Sequence, residues 1–179
     1  MNTNFTPFPE LMTDRLLLRR LVADDAPAIQ QLRSDDLVNK YLDRPKSMNV
    51  EESLAFVKKI DGNLADSKGC YWVICFKENK KLVGAVCLWN FDLEKEMADL
   101  GYELNPAHHG KGIMLEAVKR VVDYGFDVMH LKVILGLTHP ENTGSRNLLK
   151  RAGFAEDLTN KYVSKEEAGE DAIYFLVRK

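Results

Sequence analysis

The stretch Gly101-Tyr-Glu-Leu-Asn-Pro-Ala-His-His-Gly-Lys-Gly-Ile-Met-Leu-Glu-Ala117 decides the fold, because it joins the end of a strand pattern to the start of a helix pattern. The short loop between the two patterns carries Gly110, Lys111 and Gly112, and helical spacing begins at Ile113. The first N–H groups of a helix lack partners within the helix and lie at the positive end of its dipole. Glycines at that place let a phosphate approach the main chain, so the stretch predicts an anion-binding loop.

Two common nucleotide-binding loops do not match this stretch. A Walker loop requires Ser or Thr after its Gly-Lys pair, where this chain has Gly112. A Rossmann loop requires a third glycine or alanine three positions after the second, where this chain has Leu115. A simpler interpretation stays open at this point, namely that the glycines only make a tight connection between strand and helix.

The sequence before the loop is typical of an antiparallel sheet preceded by helices. Alternating apolar residues and β-branched or aromatic residues predict strands, over 15–21, 71–76, 82–89 and 98–104. Helical spacing predicts one helix over 26–33, after the candidate N-caps Asp24 and Asp25, and another over 49–60. Because short polar turns join the last three strands, we expect an antiparallel meander.

After the loop, the periodicity alternates between helix and strand. The predicted elements are a helix over 113–126, a strand over 131–137, a helix over 145–151 that Gly153 ends, and last strands from Phe154 and over 172–177. This order predicts a single domain spanning residues 1–179, with its core from about residue 10 onward. The predicted fold class is α+β (α/β), with a mixed, mostly antiparallel central sheet flanked by helices.

The composition is that of a globular protein, since 45% of the 179 residues are hydrophobic and 29% are charged. No apolar run approaches the roughly 18 residues that span a bilayer, and residues 1–10 lack a signal-peptide pattern. We therefore expect a cytoplasmic protein with no membrane partner. The net charge of −2 gives no electrostatic footprint for nucleic acid.

The cysteines and histidines do not have the spacing of a metal site. Cys70, Cys75 and Cys87 lie in or near strand patterns, and we expect buried, reduced thiols. His108 and His109 are adjacent, so their side chains point in different directions. No metal is therefore expected.

Three motifs that together span nearly the whole chain point to one family. They are Thr13-Asp-Arg15-Leu-Leu-Leu-Arg19 with Asp25, the stretch 101–117 quoted above, and Asn142-x-x-Ser145-Arg146-x-Leu148-Leu149-Lys150-Arg151-Ala-Gly153-Phe154. In this order and spacing they are highly specific. With them the sequence resembles the GNAT acetyltransferase superfamily, and within it the branch of ribosomal-protein N-terminal (alanine) acetyltransferases. The resemblance implies a GNAT-like domain that uses acetyl-CoA as co-substrate and transfers its acetyl group to a primary amine.

By this resemblance, main-chain N–H groups of the loop bind the diphosphate of acetyl-CoA. The residues assigned to cofactor binding are Leu104, Asn105, His109, Gly110, Lys111, Gly112, Ile113, Met114, Asn142 and Ser145. The family's anchor positions in the loop are Gln or Arg, then Gly, then Gly or Ala, and here they are His109, Gly112 and Met114. Because the amides do most of the binding, we expect it to survive the two changed anchors. Asn142 is expected to hydrogen-bond the pantetheine or to cap the helix that follows it.

Glu103 and Ser145 are the predicted catalytic residues. By resemblance, Glu103 lies beside the strand end that opens for the pantetheine arm, where a carboxylate could take the proton of the acceptor ammonium. Main-chain N–H near Leu104 and Asn105 would polarise the thioester carbonyl. Many members protonate the leaving thiolate with a tyrosine seven residues after the motif asparagine, but Leu149 stands there, which leaves Ser145 or a water. The alternatives are a solvated strand position for Glu103 and a helix-capping role for Ser145.

The sequence leaves the class of amine open. An α-amine has a pKa of roughly 7.7–8.0 against about 10.4 for a lysine, so a protein N-terminus is the less demanding acceptor. A small amine (polyamine, amino acid or antibiotic) and a non-catalytic acetyl-CoA-binding module are the alternatives, and the protein could be a monomer or a homodimer.

Two further groups of residues could touch the acceptor. The acidic run Asp92, Glu94, Glu96 and Asp99 either attracts a cationic amine or forms a solvated hairpin. The two tryptophans, Trp72 and Trp89, either line an acceptor pocket or pack in the core. Both questions require a structure.

Overall fold

The computed structural model describes residues 1–46 and 49–178, and within these ranges eight strands and six α-helices are present. The strands are β1 (Leu11–Met12), β2 (Leu16–Arg20), β3 (Gly69–Phe76), β4 (Leu82–Asp92), β5 (Met97–Leu104), β6 (Val133–Thr138), β7 (Ala155–Glu156) and β8 (Ala172–Val177). The helices are α1 (Ala26–Ser34), α2 (Asp36–Asn39), α3 (Val50–Ala65), α4 (Ile113–Asp127), α5 (Thr143–Arg151) and α6 (Lys165–Ala168). No helix in the described ranges is long and apolar enough to cross a membrane.

All eight strands belong to one sheet in the order β1-β2-β3-β4-β5-β6-β8-β7. Neighbouring strands from β1 to β5 are antiparallel, β6 runs parallel to β5, and β8 is antiparallel to both β6 and β7. The predicted fold class, with its mixed, mostly antiparallel sheet, is therefore confirmed.

The pairing between β5 and β6 is short. It joins residues 97–99 to residues 133–135, and no pairing follows between 100–104 of β5 and 136–138 of β6. We call this opening the strand gap. It lies at the end of β5 that leads into the glycine loop, so the sheet itself places an open strand edge next to the start of α4.

The two faces of the sheet carry different helices. On one face, α4 buries the apolar stripe that the sequence predicted, and Tyr124 meets the fully buried Trp72 edge to face at 5.6 Å between ring centroids. On the other face, Ile29 of α1 and Val57 of α3 pack in a second cluster with Val73. Each large side chain buried in this way contributes about 1.5–3 kcal/mol, which holds the helices and thereby the site.

Trp72 is therefore a core residue, and its ring N–H donates to the carbonyl of Pro9 at 2.7 Å. Trp89 is 51% exposed and pairs in register with Asp99, so it lies where the β5–β6 pairing is intact. The core interpretation holds for Trp72 alone.

The cysteines are free thiols, and Cys70 and Cys75 are buried as expected, whereas Cys87 is only half-buried. Burial raises the pKa of Cys87 to about 12. This thiol therefore stays protonated at neutral pH.

Asp25 occupies the predicted N-cap position of α1, but its side chain accepts no hydrogen bond from a helix amide. Its two oxygens instead accept hydrogen bonds from Arg19, both at 2.8 Å. A bidentate arginine–carboxylate pair is stronger than a bond from a neutral amide, so the ion pair takes the carboxylate. At α3, by contrast, Asn49 caps the helix by accepting from the N–H of Glu52 at 2.8 Å.

Candidate active site

The strand gap exposes main-chain groups of β5. The N–H of Asn105 donates to the carbonyl of Val83 on the β4 side at 2.9 Å. Because the N–H direction alternates along a strand, the N–H groups of Leu104 and Tyr102 point into the gap. The carbonyl of Leu104 accepts from the ring Nε2 of His109 at 3.1 Å, so this predicted anchor residue fixes the glycine loop to the strand end.

The glycine loop (residues 109–112) leads into α4 through two left-handed glycines, Gly110 with φ +74° and Gly112 with φ +72°. No described residue accepts a hydrogen bond from the amides of residues 110–115. A Cβ added to Gly110 would meet no atom within 4 Å, and one added to Gly112 would meet only Arg15 Nη2, at 3.7 Å. The loop is thus an open surface with unpartnered amides at a helix N-terminus, as an anion-binding loop requires.

Arg15 of the segment before β2 holds the start of α4. Its Nε donates to Glu116 at 2.7 Å and its Nη1 donates to the carbonyl of Lys111 at 3.2 Å, while the hydroxyl of Thr13 donates to the same carboxylate. Burial alone would raise the pKa of Glu116, but the bonds from Thr13 and Arg15 lower it overall. Arg15 thereby offsets a carboxylate that would otherwise repel an anion at the loop.

Ser145 lies on the α4 side of the gap, near the start of α5. The α5 cap comes from Asn142, whose side chain accepts from the N–H of Ser145 at 3.1 Å, so the capping role proposed for the serine hydroxyl is wrong. The Ser145 hydroxyl instead lies 2.6 Å from the hydroxyl of Tyr102 on β5. Burial raises the pKa of Tyr102 to about 12, so this phenol keeps its proton at neutral pH.

Glu103 lies on the opposite face and is not solvated, since its side chain is only 6% exposed. One carboxylate oxygen accepts from Arg44 Nη2 at 2.6 Å. The other accepts from the hydroxyl of Tyr71 at 2.9 Å and from Arg33 Nη1 at 3.4 Å. We call these four side chains the arginine cluster. The solvated interpretation of Glu103 is therefore wrong, and its role as a base stays a prediction.

The two predicted catalytic residues thus lie beside the strand gap on opposite faces of the sheet. Successive side chains of a strand alternate between the faces of a sheet, so Tyr102 with Ser145 lies on the α4 face and Glu103 on the α1 face. A thioester in the gap would therefore meet a proton donor on one face and a charged cluster on the other.

The acidic run lies away from the gap, at the start of β5. Glu96 pairs with Lys132 and with the Met1 amino group, Asp92 pairs with Lys95, and Asp99 accepts from Asn90 at 2.9 Å. These carboxylates are held by their neighbours in a hairpin and do not face the open end of β5. Within residues 1–46 and 49–178, no group of three His, Cys, Asp or Glu side chains is placed to hold a metal ion.

Sequence reasoning missed four of the residues that shape the site: Arg33, Arg44, Tyr71 and Tyr102. Arg33 and Arg44 lie 70 and 59 positions from Glu103, and no local pattern announces such a contact. Tyr102 could have been found from the sequence, because it precedes Glu103 on a predicted strand and its side chain must therefore lie on the opposite face of the sheet.

Comparison with known proteins agrees with this geometry. The acetyltransferase (GNAT) domain family matches residues 15–155. The uncharacterized N-acetyltransferase YoaA of Bacillus subtilis (strain 168) is 29% identical over 173 residues, covering 96% of this chain and 98% of the relative.

Two solved structures share the fold. The microcin C7 self-immunity acetyltransferase MccE, in complex with acetyl-CoA and AMP, has a TM-score of 0.79 and 23% identity over 93% of this chain and 94% of its own. The ribosomal L7/L12 α-N-protein acetyltransferase RimL, in complex with coenzyme A, has a TM-score of 0.79 and 17% identity over 94% of this chain and 98% of its own.

The family match includes β5, the strand gap and the glycine loop, and it agrees with the resemblance that the three motifs indicated. The chain belongs to the GNAT family and is an acetyl-CoA-dependent N-acetyltransferase.

Proposed function

We propose that the protein acetylates the α-amine at the N-terminus of a peptide or protein, with acetyl-CoA as the donor. One observation carries acetyl transfer at this place: the open edge of β5 leads directly into the unpartnered amides of residues 110–115. Those amides would hold the diphosphate of acetyl-CoA and leave its pantetheine arm beside the strand edge. The Leu104 N–H, which points into the gap, would donate to the thioester carbonyl and stabilise the oxyanion of the transition state.

The contacts of Glu103 favour an α-amine over a lysine or polyamine amine. Both carboxylate oxygens already accept hydrogen bonds from Arg33, Arg44 and Tyr71, so these contacts compete with any contact to an acceptor ammonium. An acceptor that is partly neutral without help is then favoured. At one pH, the gap between an α-amine and a lysine amine corresponds to about 3.4 kcal/mol of deprotonation.

Ser145 is the proposed donor of the proton that the leaving thiolate takes up. Its hydroxyl faces the gap region through its contact with Tyr102, whose raised pKa keeps the phenol protonated. Tyr102 can therefore donate to Ser145 while Ser145 donates to sulfur. A positioned donor of this kind contributes about 10²–10⁴-fold to a rate.

A small α-amino compound is the second candidate acceptor, and one contact favours it. The ring of Tyr41, which follows α2, stacks on the ring of His139, which follows β6, with centroids 5.4 Å apart. This contact joins the segment after α2 to the end of β6, which is the strand on the far side of the gap. It narrows the space through which an acceptor reaches the gap, and a small amine needs less of that space than a peptide does.

Release of coenzyme A thiol, with mass spectrometry of the acceptor, tests the proposal. Peptides with a free N-terminus and no lysine should be acetylated, whereas the same peptides with a blocked N-terminus and one internal lysine should not. A library of small amines runs in parallel and identifies the second candidate if it alone reacts. Coenzyme A binding without transfer to any amine would contradict the proposal and favour a non-catalytic binding module.

A further inference from the structure

We infer that the acceptor carries an anionic group, a carboxylate or a phosphate, near its reacting amine, and that Arg33 and Arg44 bind this group. The inference rests on the proposed function only for the location of acetyl transfer at the strand gap. It concerns the substrate class, which neither the family nor its members' names determine.

The arginine cluster carries an excess of positive charge in a poorly exposed place. Two guanidinium groups share the single carboxylate of Glu103, and the exposed fractions of the side chains are 14% for Arg33, 20% for Arg44 and 6% for Glu103. Tyr71 adds no charge, since burial and the nearby carboxylate raise its pKa well above the usual value. One positive charge is thus left without a partner where water screens it weakly.

Both arginines also have N–H donors to spare. Arg33 uses Nη1, and Arg44 uses Nη2 for Glu103 and Nε for Asn39. Arg33 Nη2 and Arg44 Nη1 bind no described residue, and in the described part of the chain no fully buried side-chain nitrogen or oxygen lacks a partner. These two nitrogens therefore contact solvent and can donate to an oxyanion.

The guanidinium groups are held in place before any ligand arrives. Arg33 lies over the ring of Phe56, with its Cζ 4.0 Å from the ring centroid. Asn39, which is buried, accepts from Arg44 Nε at 2.9 Å and donates to the carbonyl of Arg33 at 2.8 Å. Such fixed forks bind carboxylates and phosphates with little loss of side-chain freedom.

The cluster lies beside the strand gap on the α1 face of the sheet, because Glu103 belongs to the open part of β5. Lys40, which follows Asn39 in the sequence, adds a further positive charge beside Tyr41. Asp171 interacts with His139 but lies before β8 on the far side of the gap. The charge that an incoming amine meets near Glu103 is therefore positive, which disfavours a polyamine and favours an amine paired with an anion.

Matched acceptors test the inference directly. Peptides with an amidated C-terminus and Glu or Gln as second residue have similar α-amines and differ in one negative charge. We expect kcat/KM to favour the Glu peptide by about tenfold to a hundredfold, the range of one hydrogen bond to a charged group. Free amino acids, their amides, phosphoethanolamine and spermidine extend the comparison and distinguish a carboxylate from a phosphate.

Variants assign the preference to the cluster. Arg44→Gln should abolish the preference for the Glu peptide and leave the Kd of acetyl-CoA unchanged, and Arg44→Lys should retain part of it. Lys40→Gln is the matched control, because it removes a nearby positive charge from outside the cluster, and it should keep the preference. Melting curves of all three variants establish that they are folded.

The outcomes separate this inference from the proposed function. If the wild type acetylates the Glu and Gln peptides with equal kcat/KM, the inference is overturned and the proposed function stands. The same holds if Arg44→Gln keeps the wild-type preference for the Glu peptide. If no amine is acetylated, calorimetric titration with N-acetylglutamate in the presence of coenzyme A decides. If the wild type binds N-acetylglutamate and Arg44→Gln does not, the anion site is supported although the proposed function fails. If the wild type does not bind it, both the inference and the proposed function are overturned.

Discussion

Replacing Gly112 by alanine tests the anion-binding loop most directly. Gly112 has φ +72° and ψ 4°, a left-handed conformation that costs an L-residue about 1–2 kcal/mol. The new methyl group would meet only Arg15 Nη2, at 3.7 Å, so no clash adds to this cost. We expect the free energy of unfolding to fall by about 1–2 kcal/mol and the melting temperature by about 2–8 °C.

The effect on the ligand should be larger than the effect on the fold. We expect the methyl group to hinder the approach of a phosphate oxygen to the loop amides. Loss of one hydrogen bond to a charged group costs about 1.5–3 kcal/mol, which raises the Kd of acetyl-CoA about tenfold to a hundredfold. Pantetheine, which lacks the diphosphate, should bind the variant and the wild type equally.

Isothermal titration with acetyl-CoA and with pantetheine measures these differences, at a temperature where the variant is folded. The control is Gly153→Ala, because Gly153 has φ +99° at the end of α5 and a new Cβ there would meet only Leu176 Cδ1, at 3.7 Å. It has a backbone cost of the same kind but lies outside the loop. Wild-type affinity in Gly112→Ala, or an equal loss in Gly153→Ala, would refute the placement of the diphosphate.

Four further substitutions follow from other parts of the site and fold. Glu103→Gln should lower the free energy of unfolding by about 3 kcal/mol, because it leaves two arginines without a counter-charge. It should raise the KM of the acceptor and leave the Kd of acetyl-CoA unchanged. Unchanged stability with loss of one limb of the pH–rate profile would instead identify Glu103 as the general base. The single-turnover rate constant of thiol release should fall by about a hundredfold in Ser145→Ala and by about tenfold in Tyr102→Phe. A wild-type rate constant in Ser145→Ala would show that another group donates the proton. Lys132, together with the Met1 amino group, lowers the pKa of Glu96 from 4.5 to about 2. A carboxyl group with a lowered folded-state pKa contributes stability above its unfolded pKa, and this is lost as the pH falls through the folded value. The melting temperature of the wild type should therefore exceed that of Glu96→Gln at neutral pH by a margin that closes between pH 4.5 and about 2, and a margin that is constant with pH would contradict the ion pair.

The sequence was most informative where periodicity is long. Helix α4 was predicted over 113–126 and spans Ile113–Asp127, and β8 has the bounds 172–177 that were predicted. In α4, 15 residues repeat one pattern, so an error at one position changes little, whereas β8 is a continuous run of 6 apolar residues. The glycine loop was also predictable, since two glycines between a strand and a helix have few structural uses.

Short elements and distant contacts were not predictable. Strand β1 has two residues and α2 has four, which is too few for a period to show. The arginine cluster depends on α1, on the segment after α2 and on β5 coming together, which only the tertiary packing determines. Asp25 shows a third limit, because its side chain suits both a helix cap and an ion pair, and the partner Arg19 decides between them.

The brevity of the β5–β6 pairing has a consequence for the order of events during turnover. Three residue pairs join the part of the sheet before α4 to the part after it, so at the strand gap the two strand edges are held by side-chain packing and not by main-chain pairing. The amide groups of a pantetheine arm can bond both strand edges and act as a temporary extra strand. We therefore expect acetyl-CoA to stiffen the molecule before the amine binds, with slower hydrogen exchange at residues 100–104 and 136–138 and compulsory-order kinetics in which the nucleotide enters first.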